Sequence, residues 1–323
     1  MIRNHNITRR TFFQTSGTLL LATGLGRSIP AFSAETPRTS AVACRDAHLR
    51  MVKAATSWEA MKKIGVTGVE VEVNFDMKCP NLFPDDNVSL ASLQSIKRIR
   101  NELSENGLHI SAFMMANRFD ERPEEELQWV SKVVAACKAL QVRAIRLDVV
   151  PRKIKREEFL PFAISIGKRM VELVENTNIG LGIENHGHTT NDPEFLEALF
   201  NGVGSEKLGL TLDTANLYWF GHPLDDLYGI YEKFAARAFH THCKSIRYPE
   251  EKRNVRRERG WEYGKYNCPI YDGDIDFKRV VSILKAANYE GDFCIENESL
   301  GKYPQEQREN VLKKEADLLR SLI

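Results

Sequence analysis

Two rhythms alternate along this chain. Short, nearly unbroken apolar runs are each followed by a longer stretch with apolar residues three and four apart. The runs predict strands over 41–44, 68–73, 109–115, 144–150, 180–186, 208–213, 235–244 and 292–297. The stretches between them predict helices, among them 57–64, 90–105, 124–140, 157–175, 193–200 and 277–287, with Ser57 capping the first. Gly or Asn marks many helix ends, at Gly65, Asn106-Gly107, Asn178, Gly202 and Asn288. Apolar strands alternating with helices imply a parallel sheet covered by helices. Eight such units imply closure: a single-domain α/β protein built as a (β/α)8 TIM barrel.

Four strand ends in the C-terminal half each finish on a potential metal ligand. They are Glu184 in IENH, Asp213 in LTLD, His242 in FHTH and Glu296 in FCIE. From 184 to 213 and from 213 to 242 the step is the same, 29 residues. A strand-helix-strand unit takes roughly 30 residues, so the ligands recur once per unit at the C-terminal ends of strands. In a closed parallel barrel that end is the active-site face. One carboxylate at a strand end is ordinarily a helix cap or a surface group; four in register point to a common centre. Two Glu, one Asp and one His form an oxygen-rich set suited to Mn²⁺ first, with Mg²⁺, Co²⁺ or Zn²⁺ as alternatives.

Two long loops follow strands and so belong to the same face: 75–87, and 245–276 with its dense charge and aromatic residues. The second is expected to be a lid over the substrate. With 323 residues and 42% hydrophobic content the chain can bury a large core. Residues 1–34 contain Arg3, Arg9, Arg10 and Arg27 and no acid; without these four, 45 basic residues against 44 acidic become −3. That balance excludes a general pull toward nucleic acid or anionic membrane. Thr8-Arg9-Arg10-Thr11-Phe12-Phe13, the weakly apolar 17–26 and small residues near Ala34 resemble a twin-arginine export signal. The expected organisation is signal 1–34, linker 35–40 and barrel 41–323, with export to the periplasm by the twin-arginine machinery and no stable membrane anchor. Six cysteines without CxxC spacing require no disulfide.

IENHG at 183–187, LDTAN at 212–216, His242-Cys243-Lys244, YDGDIDF at 271–277 and IENES at 295–299 resemble the sugar phosphate isomerase/epimerase family of the xylose-isomerase-like barrels. GVTGVEV at 65–71 is similar to that family's second-strand pattern. The resemblance implies that Glu184, Asp213, His242 and Glu296 hold one divalent ion. It also implies that Glu184 and Glu296 are the catalytic acid/base pair, working through an enediolate on a small carbohydrate. Isomerisation or epimerisation is the leading expectation. A lyase or dehydratase acting on a keto-sugar or keto-glycoside comes second, and a non-catalytic sugar-binding barrel is the alternative of another class. Asn216 stands where epimerases often carry a second His. Val73-Asn74 and Met115-Ala116 lack the extra His ligands of the nuclease branch. The family's habit of oligomerising makes a homo-oligomer a further expectation.

The remaining candidates are substrate contacts: His186, His188, Asn216, Lys244 and Glu70. Glu70 and Glu72 share one side of their strand, as do Arg146 and Asp148. Such buried charges form either an internal ion-pair network or a polar sugar pocket. His240, two residues before His242, is expected to support it from deeper in the barrel. Trp58, Trp219 and Phe220 are candidates for an apolar wall, with core packing as the plainer role.

Overall fold

The computed structural model describes residues 40–84 and 88–323. The export-signal expectation lies outside the described residues, as does the linker up to residue 39. The strands, in chain order, are β1 Val42–Arg45, β2 Gly68–Glu72, β3 His109–Met115, β4 Ala144–Leu147 and β5 Gly180–Glu184. They continue with β6 Leu208–Asp213, β7 Ala238–Cys243, β8 Ser245–Ile246, β9 Asn267–Cys268 and β10 Phe293–Ile295. β1 to β7 and β10 close into a parallel barrel in which β1 pairs with both β2 and β10. β8 and β9 form a separate antiparallel pair at the base of the second long loop.

Several strands stop short of the apolar runs that announce them. Residues 148 and 185–186 leave the ladder because their side chains take over the bonding: Asn185 clamps both backbone groups of Asp213, at 2.8 and 2.9 Å. Helix Ser57–Ile64 is capped by Thr56, not Ser57, through a bond from the Glu59 N–H at 3.1 Å. It ends where Gly65 turns left-handed at φ 76°. Helix Pro193–Val203 runs past Gly202 to a Gly204 cap, and Arg156–Glu172 stops before Asn178. Asn216–Phe220, Leu224–Phe234 and the C-terminal Gln305–Leu322 add helices that the periodicity leaves unannounced.

The barrel strands have two unlike faces. Val69, Val71, Ile145, Leu147, Leu181, Ile183, Leu210, Leu212 and Ile295 are buried in the apolar core with the surrounding helices. Each such side chain contributes about 1.5–3 kcal/mol by leaving water. Alternate positions place Glu70, Thr211, His240 and His242 in the interior, all fully buried. Where the strands crowd, glycine is obligatory: a Cβ at Gly182 would come within 2.5 Å of the Thr211 Oγ1. The apolar face fixes the strands; the polar face is left for chemistry.

Candidate metal centre

Four strand ends bring the expected ligands together. Glu184 and Asp213 close β5 and β6, His242 is the register partner of Asp213 on β7, and Glu296 follows β10. One donor atom from each lies within 4.8 Å of all the others, and all four residues are buried. The His242 Nδ1 sits 3.4 Å from Glu184 Oε1, 3.3 Å from Glu296 Oε2 and 3.9 Å from Asp213 Oδ2.

Local folding explains how each side chain is aimed. Asp213 does two jobs: its Oδ1 accepts the N–H groups of Ala215 and Asn216, at 2.8 and 2.7 Å, at the entry to the short helix Asn216–Phe220. Its Oδ2 is thereby turned to the centre. The oxygen that closes this turn and the oxygen that faces the cluster are different atoms of one carboxylate. His242 is held from behind, because Glu70 lies 2.9 and 3.0 Å from its Nε2. A carboxylate there fixes the imidazole so that Nδ1 faces the ligands.

The cluster has the marks of a cation site. His242 Nδ1 is buried and has no hydrogen-bond partner, and Asp213 Oδ2 likewise accepts no hydrogen bond. Asp213 Oδ2 does lie 2.9 Å from the Lys244 ammonium, but without hydrogen-bonding geometry. Bonds of about 2.0–2.2 Å to one ion set neighbouring donor atoms about 3–3.6 Å apart. Two of the three separations from Nδ1 fall in that range, and the third is slightly longer. The residues therefore fit a single divalent ion. Burial disfavours the His242 cation, yet Glu296, Glu70 and Glu184 outweigh it and push its pKa well above the ordinary value.

Guanidinium groups from the other half of the barrel keep the glutamates ionised. Burial would raise Glu184, but Arg146 and then His242 hold it well below the carboxylate range. Arg146 donates to Glu184 Oε2 at 2.5 Å through Nε and again through Nη2. Glu296 is likewise depressed against its own burial, by His242, Lys244 and Arg45, the last in direct contact. Asp213 differs: burial and the neighbouring Glu296 and Glu184 push it up to about 7, despite Lys244.

The expected substrate contacts divide. Glu70 is fully buried between Arg45 and the two β7 histidines, where it backs His242. Asn216 donates to Glu184 Oε1 at 3.0 Å and orients that ligand instead of facing outward. Lys244 is buried and touches Asp213, Glu296 and Glu298. Glu298 itself is 41% exposed at its side chain, which leaves Glu296 as the buried ligand. His186 lies at the rim, 48% exposed at its side chain and 3.2 Å from Asp148. His188 is exposed, in the field of Arg259 and Arg156. Of the paired inward charges, the ion-pair network is what forms. Trp58 packs edge-on against Phe83 and donates to Glu102, which makes it a packing residue.

Sequence reasoning passed over the end of β1. Arg45 joins Glu70 at 3.2 Å to Glu296, and His48 follows on the same face of the barrel. Its Nε2 is buried without a partner, and burial together with Arg45 lowers its pKa to about 4. The signal was present: Arg45-Asp46-Ala47-His48 occupies the same strand-end position as the four ligands. The run 41–44 predicts the strand, but it is weak, and the charged residues just beyond it carry no ligand pattern of their own.

The 245–276 segment packs against the Asn216–Phe220 helix and the turn after it. Arg257 is wedged between the Tyr218 and Tyr248 rings, 4.4 Å from each centroid, and donates to the Tyr218 and His222 carbonyls at 2.9 Å. Tyr263, from the same segment, donates to Glu298.

Known proteins bear on this arrangement. The chain is 32% identical over 133 residues to an inosose dehydratase of Geobacillus thermodenitrificans, covering 40% of this chain and 41% of that protein. It is 27% identical over 151 residues to an inosose dehydratase of Clostridium perfringens, covering 45% and 49%. The matches thus span less than half the length of these relatives. The crystal structure of the IOLI protein with a bound zinc atom superposes with a TM-score of 0.66 at 16% identity, over 88% of this chain and 99% of that one. At that identity the likeness is one of fold. The model of the xylose isomerase-like TIM barrel family matches residues 58–322, and with this barrel and this ligand set the chain belongs to that family.

Proposed function

We propose that this protein is a divalent-metal-dependent enzyme that removes a proton from the carbon beside the carbonyl of a keto-sugar or related polyhydroxylated ketone. The observation that carries the proposal is the unpartnered His242 Nδ1 facing three carboxylate oxygens at 3.3–3.9 Å. Glu184, Asp213, His242 and Glu296 would hold the ion. When bound, it polarises the substrate carbonyl and the adjacent hydroxyl, which acidifies the neighbouring C–H. A carboxylate then suffices as base, with no need for a raised pKa of its own.

The chain's own groups are unequal. Arg146 and Asn216 fix Glu184 as a carboxylate able to accept the carbon-bound proton. On the Glu296 side stands the Lys244 ammonium, 3.0 Å away; burial would loosen its proton, but Asp213, Glu296 and Glu298 hold it well above the ordinary lysine value, so it serves as a fixed positive charge. If Glu184 takes the α-proton and the electron pair expels a β-hydroxyl, that hydroxyl leaves as water with a proton supplied by solvent. The relatives named inosose dehydratase favour this dehydration. This reverses the order expected from sequence. Isomerisation or epimerisation is the second reading, favoured by the presence of Glu184 and Glu296 within one cluster.

Metal content is the first test: about one ion per chain is expected in the wild type, and almost none in Asp213→Ala or His242→Ala. A panel of keto-sugars and keto-cyclitols with Mn²⁺ in D2O, followed by mass spectrometry, separates the chemistries. Loss of one water identifies dehydration, whereas deuterium gain at unchanged composition identifies isomerisation or epimerisation. Full turnover by Glu184→Gln would remove Glu184 as the base. Ligand binding with no turnover by the metal-loaded wild type on any substrate would favour a non-catalytic sugar-binding barrel.

A further inference from the structure

We infer that Lys244 is the cation that holds the ligand cluster together in the metal-free protein, and that it moves onto Glu298 as the ion enters. The inference rests on the metal reading above and concerns how the site is loaded. Lys244 follows His242 by two residues, so the two side chains leave the same side of the chain. Its Nζ lies 2.9 Å from Asp213 Oδ2 and 3.0 Å from Glu296 Oε2. Those are the two oxygens that His242 Nδ1 faces at 3.9 and 3.3 Å. An ammonium and a divalent ion would thus draw on the same two atoms.

Two positive centres on shared oxygens repel strongly inside a buried cluster, because little water screens them. The metal-free cluster needs the ammonium for the complementary reason: buried carboxylates are costly without a countercharge. The three contacts of Lys244 are unequal. Glu296 and Glu298 accept hydrogen bonds from it at 3.0 Å, while Asp213 Oδ2 is merely close. Glu298 is no member of the ligand set. Its Oε1 takes the ammonium and its Oε2 takes the Tyr263 hydroxyl. It is a second anion already in place, so a small rotation of a four-carbon side chain transfers the charge. Lysine suits this role better than arginine, being a compact charge without a fixed planar fork. Tyr263 belongs to the 245–276 segment, so that segment helps to position the carboxylate that receives the displaced ammonium.

The test is calorimetric titration of Mn²⁺ into the metal-stripped full chain, comparing wild type, Lys244→Met, Glu298→Gln and the double variant. Lys244→Met removes the competitor and the repulsion together, and is expected to bind Mn²⁺ about tenfold more tightly or better. Glu298→Gln removes the receiving anion and is expected to weaken binding about threefold. That weakening should vanish in the Lys244→Met background, because Glu298 acts through the ammonium. Unchanged or weaker binding by Lys244→Met would overturn the inference, and so would a Glu298→Gln effect that persists in the double variant. If Lys244→Met does not fold, Glu298→Gln alone decides, and equal or tighter binding by it overturns the idea. A folded wild type that takes up no Mn²⁺ would instead remove the metal reading itself, together with this inference.

Discussion

The two halves of the barrel bring opposite things to one point. β5, β6, β7 and β10 deliver Glu184, Asp213, His242 and Glu296. β1, β2 and β4 deliver Arg45, Glu70 and Arg146, none of them in the four-ligand set and each in contact with one of its members. The later half supplies the donors, with Lys244 among them; the earlier half adds the arginines and Glu70 that help keep those donors ionised and aimed. Bringing the ligands together is not enough, since buried carboxylates without partners would take up protons instead of metal. Asp213 makes the point. Burial pushes it up to about 7 despite the nearby Lys244 ammonium, while both glutamates, faced by His242 and each touched by an arginine, are held low against their burial.

The largest expected break in this division comes from Arg146→Met. It leaves the Glu184 carboxylate buried without its main cation and should cost about 3–5 kcal/mol of stability, read from urea unfolding of metal-free protein. A cost below 1 kcal/mol would show that His242 and Asn216 suffice for Glu184. Next comes Glu70→Gln, which removes the carboxylate behind His242. It should weaken metal affinity by about 10–100-fold, measured by titration with Mn²⁺, while the four ligands stay in place.

Acid groups beyond the cluster give a third, smaller effect with a defined sign. Burial pushes Glu315 up to about 8, against bonds from the Ile270 N–H and Asn297, the neighbour of Glu296. Between its ordinary value of 4.5 and about 8 the folded chain binds this proton and the unfolded chain does not. Stability from this group is therefore full below the lower value, falls as pH rises through the window, and levels off above it. The slope is at most about 1.4 kcal/mol per pH unit. Urea midpoints from pH 5 to 8 should fall less steeply in Glu315→Gln. Glu184 and Glu296 act in the opposite sense, because their contribution is lost as pH falls through their depressed values. The smallest effect is expected at the rim: His188→Ala should change stability by less than about 0.5 kcal/mol and leave metal content unaltered. A loss of metal there would extend the site beyond the buried cluster.

The ligand set was legible because it obeys a one-dimensional rule: an apolar run, then a donor, one strand-helix unit after another. Asn216 and Glu70 were legible as polar residues near the centre, but not their contacts with Glu184 and His242. Whether a side chain meets a substrate or another side chain depends on what stands opposite it across the barrel. Arg45 and His48 went unread because four apolar-rich residues make a weak strand in sequence and a full member of a closed sheet in space. Gln305–Leu322 was obscured by its charged residues, although Leu312, Ala316 and Leu319 bury a continuous stripe.

By itself, the sequence determined the barrel and the four donor-bearing strand ends that meet at one point, since each follows from periodicity and from spacing along the chain. Only the tertiary structure decided which cations answer those donors: Arg146 on Glu184, Arg45 on Glu296, and Lys244 among Asp213, Glu296 and Glu298. The physical reason is that a closed barrel joins its first strand to its last. Residues some 250 positions apart, Arg45 and Glu296, become direct partners there, and no local pattern encodes that contact.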